Sequence, residues 1–170
     1  MSSDERREDL HIPGFDLFIN SHGKGKGTAT YCKKGMFNHV GDIKQSYMQL
    51  SKFTSPLIDI IFVYRSQLGN MEEMNQHLRE MKSEGKPQLI LGDFNFCYLD
   101  KSLNPTKCFL KQENFTQLIL RPTHIEGTLL DQANLQDIHD TLEVTVETHS
   151  KYYSDHKGLA IMIKEAKITN

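Results

Sequence analysis

Gln88-Leu89-Ile90-Leu91-Gly92-Asp93-Phe94-Asn95 is a short apolar run that ends on a glycine, a carboxylate and an amide. Its length and flanking glycine predict a buried strand, and Gly92 lets the backbone leave that strand tightly. Alternate side chains on a strand share a face, so Asp93 and Asn95 are expected to point at one spot while Phe94 turns into packing. A carboxylate beside an amide at a sheet end is the kind of place where sites are assembled from loops. The plainer reading is a strand-ending turn in which Asp93 and Asn95 cap backbone amides.

Upstream, Met71, Met74, Leu78 and Met81 recur at spacings of three, four and three, which predicts a helix from Asn70 to about Lys82 with one apolar face. Gly85 and Pro87 stop it. Leu57 to Tyr64 is apolar enough for a central strand, so the pieces form a strand, helix, strand unit. Further back, His11-Ile12-Pro13-Gly14 reads as a turn, followed by strand candidates at Phe15 to Ile19 and Thr28 to Cys32, joined as a hairpin through His22 to Gly27. The glycines of that turn lack the spacing and the Gly-Lys-Ser/Thr ending of a phosphate loop. Ser46 to Leu50 alternates weakly.

Downstream, a helix is predicted over Lys107 to Glu113, with strands at Phe115 to Leu120, Leu142 to Thr148 and Leu159 to Ile163. Many strands, few helices and no repeats or linkers imply a layered α/β or α+β fold. The organisation is a charged leader at 1–9 and one domain at 10–170, large enough to bury about 70% of its unfolded surface.

Twenty basic against 22 acidic residues leave a formal charge of -2, so no global positive field gathers nucleic acid. The basic stretch Lys24, Lys26, Lys33 and Lys34 reads as a solvated loop face. Met1 to Leu10 has no apolar core and the longest apolar run is too short to span a bilayer, which implies no membrane partner and an intracellular protein of cytoplasm or nucleus. Cys32, Cys97 and Cys108 show neither a disulfide framework nor paired zinc-ligand spacing and read as free thiols. No nucleophile-elbow Gly-x-Ser-x-Gly occurs. Zinc catalysis through His149 and His156 would need a helix where Tyr152-Tyr153-Ser154 and the flanking strands argue against one.

A second chemical motif is Ser154-Asp155-His156. It joins a hard oxygen ligand suited to Mg²⁺ with the side chain whose ordinary pKa best matches proton transfer near neutrality. Neighbours on a regular strand face opposite ways, so Asp155 and His156 converge only where the backbone is a loop or strand entry. Asp131 could hold the imidazole in one tautomer and stabilise its cation. Its plainer reading is another turn aspartate.

Taken together, Val63-Tyr64-Arg65, the helix before Gln88 to Asn95, Pro122-Thr123-His124-Ile125-Glu126-Gly127-Thr128-Leu129-Leu130-Asp131 and Ser154-Asp155-His156 resemble the endonuclease/exonuclease/phosphatase superfamily. That is the fold of deoxyribonuclease I, abasic-site endonucleases and inositol polyphosphate phosphatases. The segment from Pro122 to Asp131 looks most like superfamily domains of invertebrate mobile-element-like or helicase-associated proteins, from which Gln132 departs. The resemblance implies a layered αββα sandwich with mixed, mainly antiparallel sheets.

It further implies a divalent-metal-dependent phosphoester hydrolase, a nuclease-type phosphodiesterase acting on nucleic acid or another phosphodiester. By resemblance, His156 would deprotonate or orient water with Asp131 behind it, Asp93 and Asn95 would position the nucleophile and a phosphate oxygen, Tyr64 would donate toward the phosphate, and Asp155 would bind Mg²⁺ or Mn²⁺. The family's opening strands, bearing an asparagine and the principal metal-binding glutamate, are not recognisable upstream of Leu10. The chain is therefore expected to be N-terminally truncated relative to the family, with self-association through an uncovered sheet edge. The alternative function is a catalytically impaired remnant serving as a binding or interaction module.

Overall fold

Local chemistry sets the helix ends. A computed structural model describes residues 11–21, 27–150 and 154–166; the expected leader and the turn at His22 to Lys26 lie outside them. Helix α1, Met71–Met81, starts where the Asn70 side chain accepts hydrogen bonds from the Glu72 and Glu73 amides. Its end at Met81 agrees with the apolar spacing. Helix α2, Pro105–Gln112, begins two residues before Lys107 because Asn104 accepts from the Lys107 amide and Pro105 supplies a preset first turn.

The strands are β1 (Phe15–Ser21), β2 (Gly27–Lys33), β3 (Asn38–Gln45), β4 (Met48–Thr54), β5 (Asp59–Arg65), β6 (Gln88–Asp93), β7 (Thr116–Gln117), β8 (Asp131–Gln136), β9 (Leu142–His149) and β10 (Gly158–Glu165). A six-stranded sheet runs β3-β4-β5-β6-β8-β7, flanked by the two-stranded sheets β1-β2 and β9-β10. Among the described residues only the β5 to β6 pairing is parallel, as the crossover through α1 requires; the other pairings are antiparallel. Mixed, mainly antiparallel sheets are as expected.

Two strands escape sequence reading. In β3 the side chains are mostly exposed, so no apolar alternation marks it. In β8 the buried face is itself polar, with Gln132, Asn134 and Gln136 enclosed beneath α2 and its neighbours. The strand expected over Phe115 to Leu120 pairs only at Thr116–Gln117.

Strand alternation sorts the core into two faces. Ile61, Val63 and Ile90 meet Met74, Leu78, Phe109 and Leu110 of the helices. On the opposite face Ile60, Leu89 and Ala133 pack with Leu142, Val146, Leu159, Ile161 and Ile163 of the β9-β10 hairpin. Phe18 of β1 meets Phe53, which meets Phe62, on that same face. The result is a helix layer, a central sheet and a second β layer. An apolar cleft of about 710 Å³, lined by Ile58, Leu89, Leu159 and Ile161 among others, runs between the two β layers.

One buried ionic knot ties β5 to its surroundings. Asp59, 3% exposed, lies 2.7 Å from Lys86 Nζ and 3.2 Å from Lys52 Nζ. Burial alone would raise its carboxyl, but Lys86, Ser83, Thr54 and Lys52 together bring it down to about 2.

Candidate active site

The quoted stretch becomes strand β6 and then turns away at Gly92-Asp93. At Gly92 φ is +139°, and a Cβ there would stand 1.9 Å from the Val63 carbonyl oxygen, so only glycine fits between β5 and β6. The strand ends at Asp93, and Asn95 takes a left-handed φ of 53°. Alternation across Asp93 and Asn95 therefore does not occur. Instead Asp93 Oδ1 accepts the Asn95 amide at 2.9 Å, the capping turn that is the plainer reading of the motif.

Arg65 holds this turn from the helix face. It is 3% exposed and donates through Nε to the Phe94 carbonyl at 2.7 Å, through Nη1 to Gly69 at 2.6 Å and through Nη2 to Asn95 at 2.9 Å. Its fork thus spends its charge on three backbone carbonyls.

Register brings the other groups together. Asp93 is the Cα partner of Tyr64 on β5 and of Asp131 on β8, so the three side chains share one face in a single row across the sheet. Asp131 is fixed from behind by Thr123, a fully buried residue whose Oγ1 accepts from the Leu130 and Asp131 amides at 3.1 and 3.0 Å. The turn at 123–128 is then stitched to the C-terminal segment: Ile125 N donates to Asp155 O and Lys157 N to Thr123 O, on either side of the bridge between His124 and His156. That bridge places His156 Nδ1 2.8 Å from Asp131 Oδ2.

His156, Asp131, Asp93 and Tyr64 are thus assembled from residues 92 positions apart at the extremes. Asn95 joins through its backbone, its amide on Asp93 and its carbonyl on Arg65. Asp155 sits at the exposed rim, its Oδ2 3.4 Å from His124 Nε2. Sequence reading missed Thr123, His124 and the clamp role of Arg65. A charged residue closing an apolar strand, and a Thr-His pair just before Leu-Leu-Asp, are the signals that mark them.

The electrostatics follow from this crowding. Burial raises the Asp93 carboxyl and the Asp131 charge adds to it, against the Asn95 amide, His156 and Arg65, which lower it. Burial would lower the His156 imidazole, but the hydrogen bond and charge of Asp131, with Asp93 and Asp155, outweigh it and raise it. Burial lowers the Arg65 guanidinium, while Asp93 partly restores it. An imidazole whose Nδ1 faces a carboxylate presents Nε2 as a proton acceptor, and a carboxylate held above its ordinary range beside another suits a cation.

No protein-family sequence model matches the chain, and no curated protein matches it by sequence. Solved structures do. The endonuclease domain of TRAS1, a telomere-specific non-LTR retrotransposon, superposes with a TM-score of 0.65 over 88% of this chain and 78% of that one at 14% identity. A humanized D. rerio TDP2 gives 0.62 over 94% and 80% at 12% identity. An endonuclease/exonuclease/phosphatase family protein from Bacteroides thetaiotaomicron gives 0.61 over 94% and 78%, also at 12% identity. At such identities the likeness speaks for backbone architecture, and it lends no support to self-association. Among the described residues no helix is long and apolar enough to cross a membrane. The path of the chain through its mixed central sheet is that of the deoxyribonuclease I-like fold.

Proposed function

We propose that the chain is a divalent-metal-dependent phosphoester hydrolase, and within that class a nuclease-type phosphodiesterase. The observation that carries this is the 2.8 Å pair of His156 Nδ1 and Asp131 Oδ2, set in one row with Asp93 and Tyr64 at the end of the sheet. A pair of this kind orients a base and stabilises its cation.

In this reading His156 Nε2 takes a proton from water as the water oxygen bonds to phosphorus. The ester P–O bond breaks on the opposite side, and the departing oxygen takes a proton from solvent. Asp131 accepts the hydrogen bond of the Nδ1 proton, which stays on the ring, and balances the imidazolium. Asp93 and Asn95 position the water and a phosphate oxygen, and the Tyr64 hydroxyl donates toward the phosphate. The donor set fits a hard cation: Asp155 is an exposed carboxylate and Asp93 is pushed up by burial and by its carboxylate neighbour, a strain a dication relieves. Asp155 would hold Mg²⁺ or Mn²⁺, which when bound supplies charge neutralisation at the phosphate oxygens.

The test is hydrolysis of plasmid DNA, of RNA and of a simple aryl phosphodiester by purified protein with Mg²⁺ or Mn²⁺. His156→Ala is expected to lower the rate by about 10² to 10⁴. Equal residual rates in the parent, His156→Ala and Asp93→Ala proteins would mark a contaminant and favour a non-catalytic binding module on the same scaffold.

A further inference from the structure

His124 has no part in the hydrolytic scheme, yet its side chain is only 13% exposed and its ring stands edge-on to His156 with centroids 5.0 Å apart. A backbone bridge pairs the two residues. A donor atom from each of His124, Asp155 and His156 lies within 4.8 Å of the other two.

What lies behind the rings is informative. Asp131 Oδ2 is 2.8 Å from His156 Nδ1, and Glu126 Oε2 is 4.0 Å from His124 Nδ1. A carboxylate on the far nitrogen is the outer arrangement that orients metal-binding imidazoles and raises their basicity. His156 has this arrangement through Asp131, and His124 Nε2 lies 3.4 Å from Asp155 Oδ2 with the Glu126 carboxylate in reach of its far side. Two imidazole nitrogens and one carboxylate oxygen are a poor set for Mg²⁺, which prefers oxygen, and a good one for Zn²⁺, Co²⁺ or Ni²⁺.

We propose that His124 Nε2, the Asp155 carboxylate and His156 Nε2 form a binding site for a transition-metal dication of the Zn²⁺ class, with water completing its coordination. In the metal-free protein the Glu126 amide donates to His124 Nδ1 at 3.2 Å, so the ring proton sits on Nε2 and faces Asp155. Coordination replaces that proton. The ring then carries its proton on Nδ1, where the exposed Glu126 carboxylate accepts it in place of the amide. The site draws together through Asp155, whose side chain is 66% exposed and unrestrained by packing.

Filling the site ties up the His156 lone pair. Zn²⁺ therefore inhibits hydrolysis supported by Mg²⁺, a consequence that rests on the proposed function, whereas the binding itself does not.

Cobalt absorption and Zn²⁺ titration calorimetry test the binding on the full chain. One equivalent of Co²⁺ is expected to give nitrogen and oxygen ligand-field bands without a thiolate charge-transfer band, which excludes Cys32, Cys97 and Cys108. His124→Gln and Asp155→Asn are each expected to weaken Zn²⁺ at least tenfold, and Glu126→Gln by about tenfold. Asp155 and Glu126 are exposed, so their variants fold whatever His124→Gln does. A thiolate band, or unchanged affinity in Asp155→Asn and Glu126→Gln, overturns the proposal. Zn²⁺ binding as described in a protein without hydrolysis leaves this site standing and removes the hydrolase reading. Hydrolysis without Zn²⁺ binding does the reverse.

Discussion

Replacing Arg65 by lysine keeps the charge and removes the fork. The guanidinium reaches three carbonyls, those of Gly69, Phe94 and Asn95, whereas an ammonium on a flexible stem reaches one of them. Two charge-assisted hydrogen bonds are lost at about 1.5 to 3 kcal/mol each, so Arg65→Lys should cost roughly 3 to 6 kcal/mol. That is a large share of the roughly 5 to 15 kcal/mol that holds such a domain together. Urea unfolding followed by circular dichroism should show a lower midpoint with the slope unchanged. Amide exchange should quicken first at Phe94 and Asn95, the residues whose carbonyls lose their donor. Lys82→Ala provides the contrast: its pair with Glu113 at 2.5 Å is a quarter exposed and should cost no more than about 1 kcal/mol. An Arg65→Lys cost below about 1 kcal/mol, or equal to that of Lys82→Ala, would refute the view that this guanidinium clamps the site turn.

Since the imidazole must be neutral to accept a proton and its pKa is raised, the rate should climb with pH through an inflection above 6.5, and Asp131→Asn should move that inflection down. The pH dependence of initial rates checks this, and an inflection unmoved by Asp131→Asn would count against the pairing. The Asp93 carboxyl is raised, so its ionised form opposes folding above the ordinary carboxylate range; Asp93→Asn should raise Tm at neutral pH while abolishing hydrolysis. Thermal unfolding of the variant decides, with a lowered Tm as the contrary outcome. Asp59 has the opposite sign: its folded value of about 2 against an ordinary 3.8 contributes stability of about 2.5 kcal/mol above pH 4 that is lost as pH falls toward 2. Asp59→Asn should flatten stability between pH 4 and 2, measured by urea midpoints across that range.

Much of the fold was legible where burial repeats at a regular period. The methionine spacing of α1 and the alternation of β9 and β10 each report one face meeting a core, the apolar runs of β5 and β6 report two, and a face is a local property of the chain. β3 carried no such mark because its side chains face water, and β8 carried none because Gln132, Asn134 and Gln136 are buried by partners distant in sequence. The residue types of the site were legible in the same way, since a glycine, a carboxylate and an imidazole advertise their chemistry wherever they stand.

Their arrangement was not. Asp131 was expected behind His156, but how it is held there depends on the Thr123 hydroxyl, the bridge at His124 and the registers of β5, β6 and β8, contacts that join residues far apart along the chain. The sequence alone determined which side chains have the chemistry for a phosphoester site and which elements end beside them, because those follow from residue type and local period. Only the tertiary structure decided that Thr123 fixes the Asp131 placed behind His156, that Arg65 holds the Asn95 turn and that His124 stands beside Asp155, because distances between remote residues are set by packing and strand register.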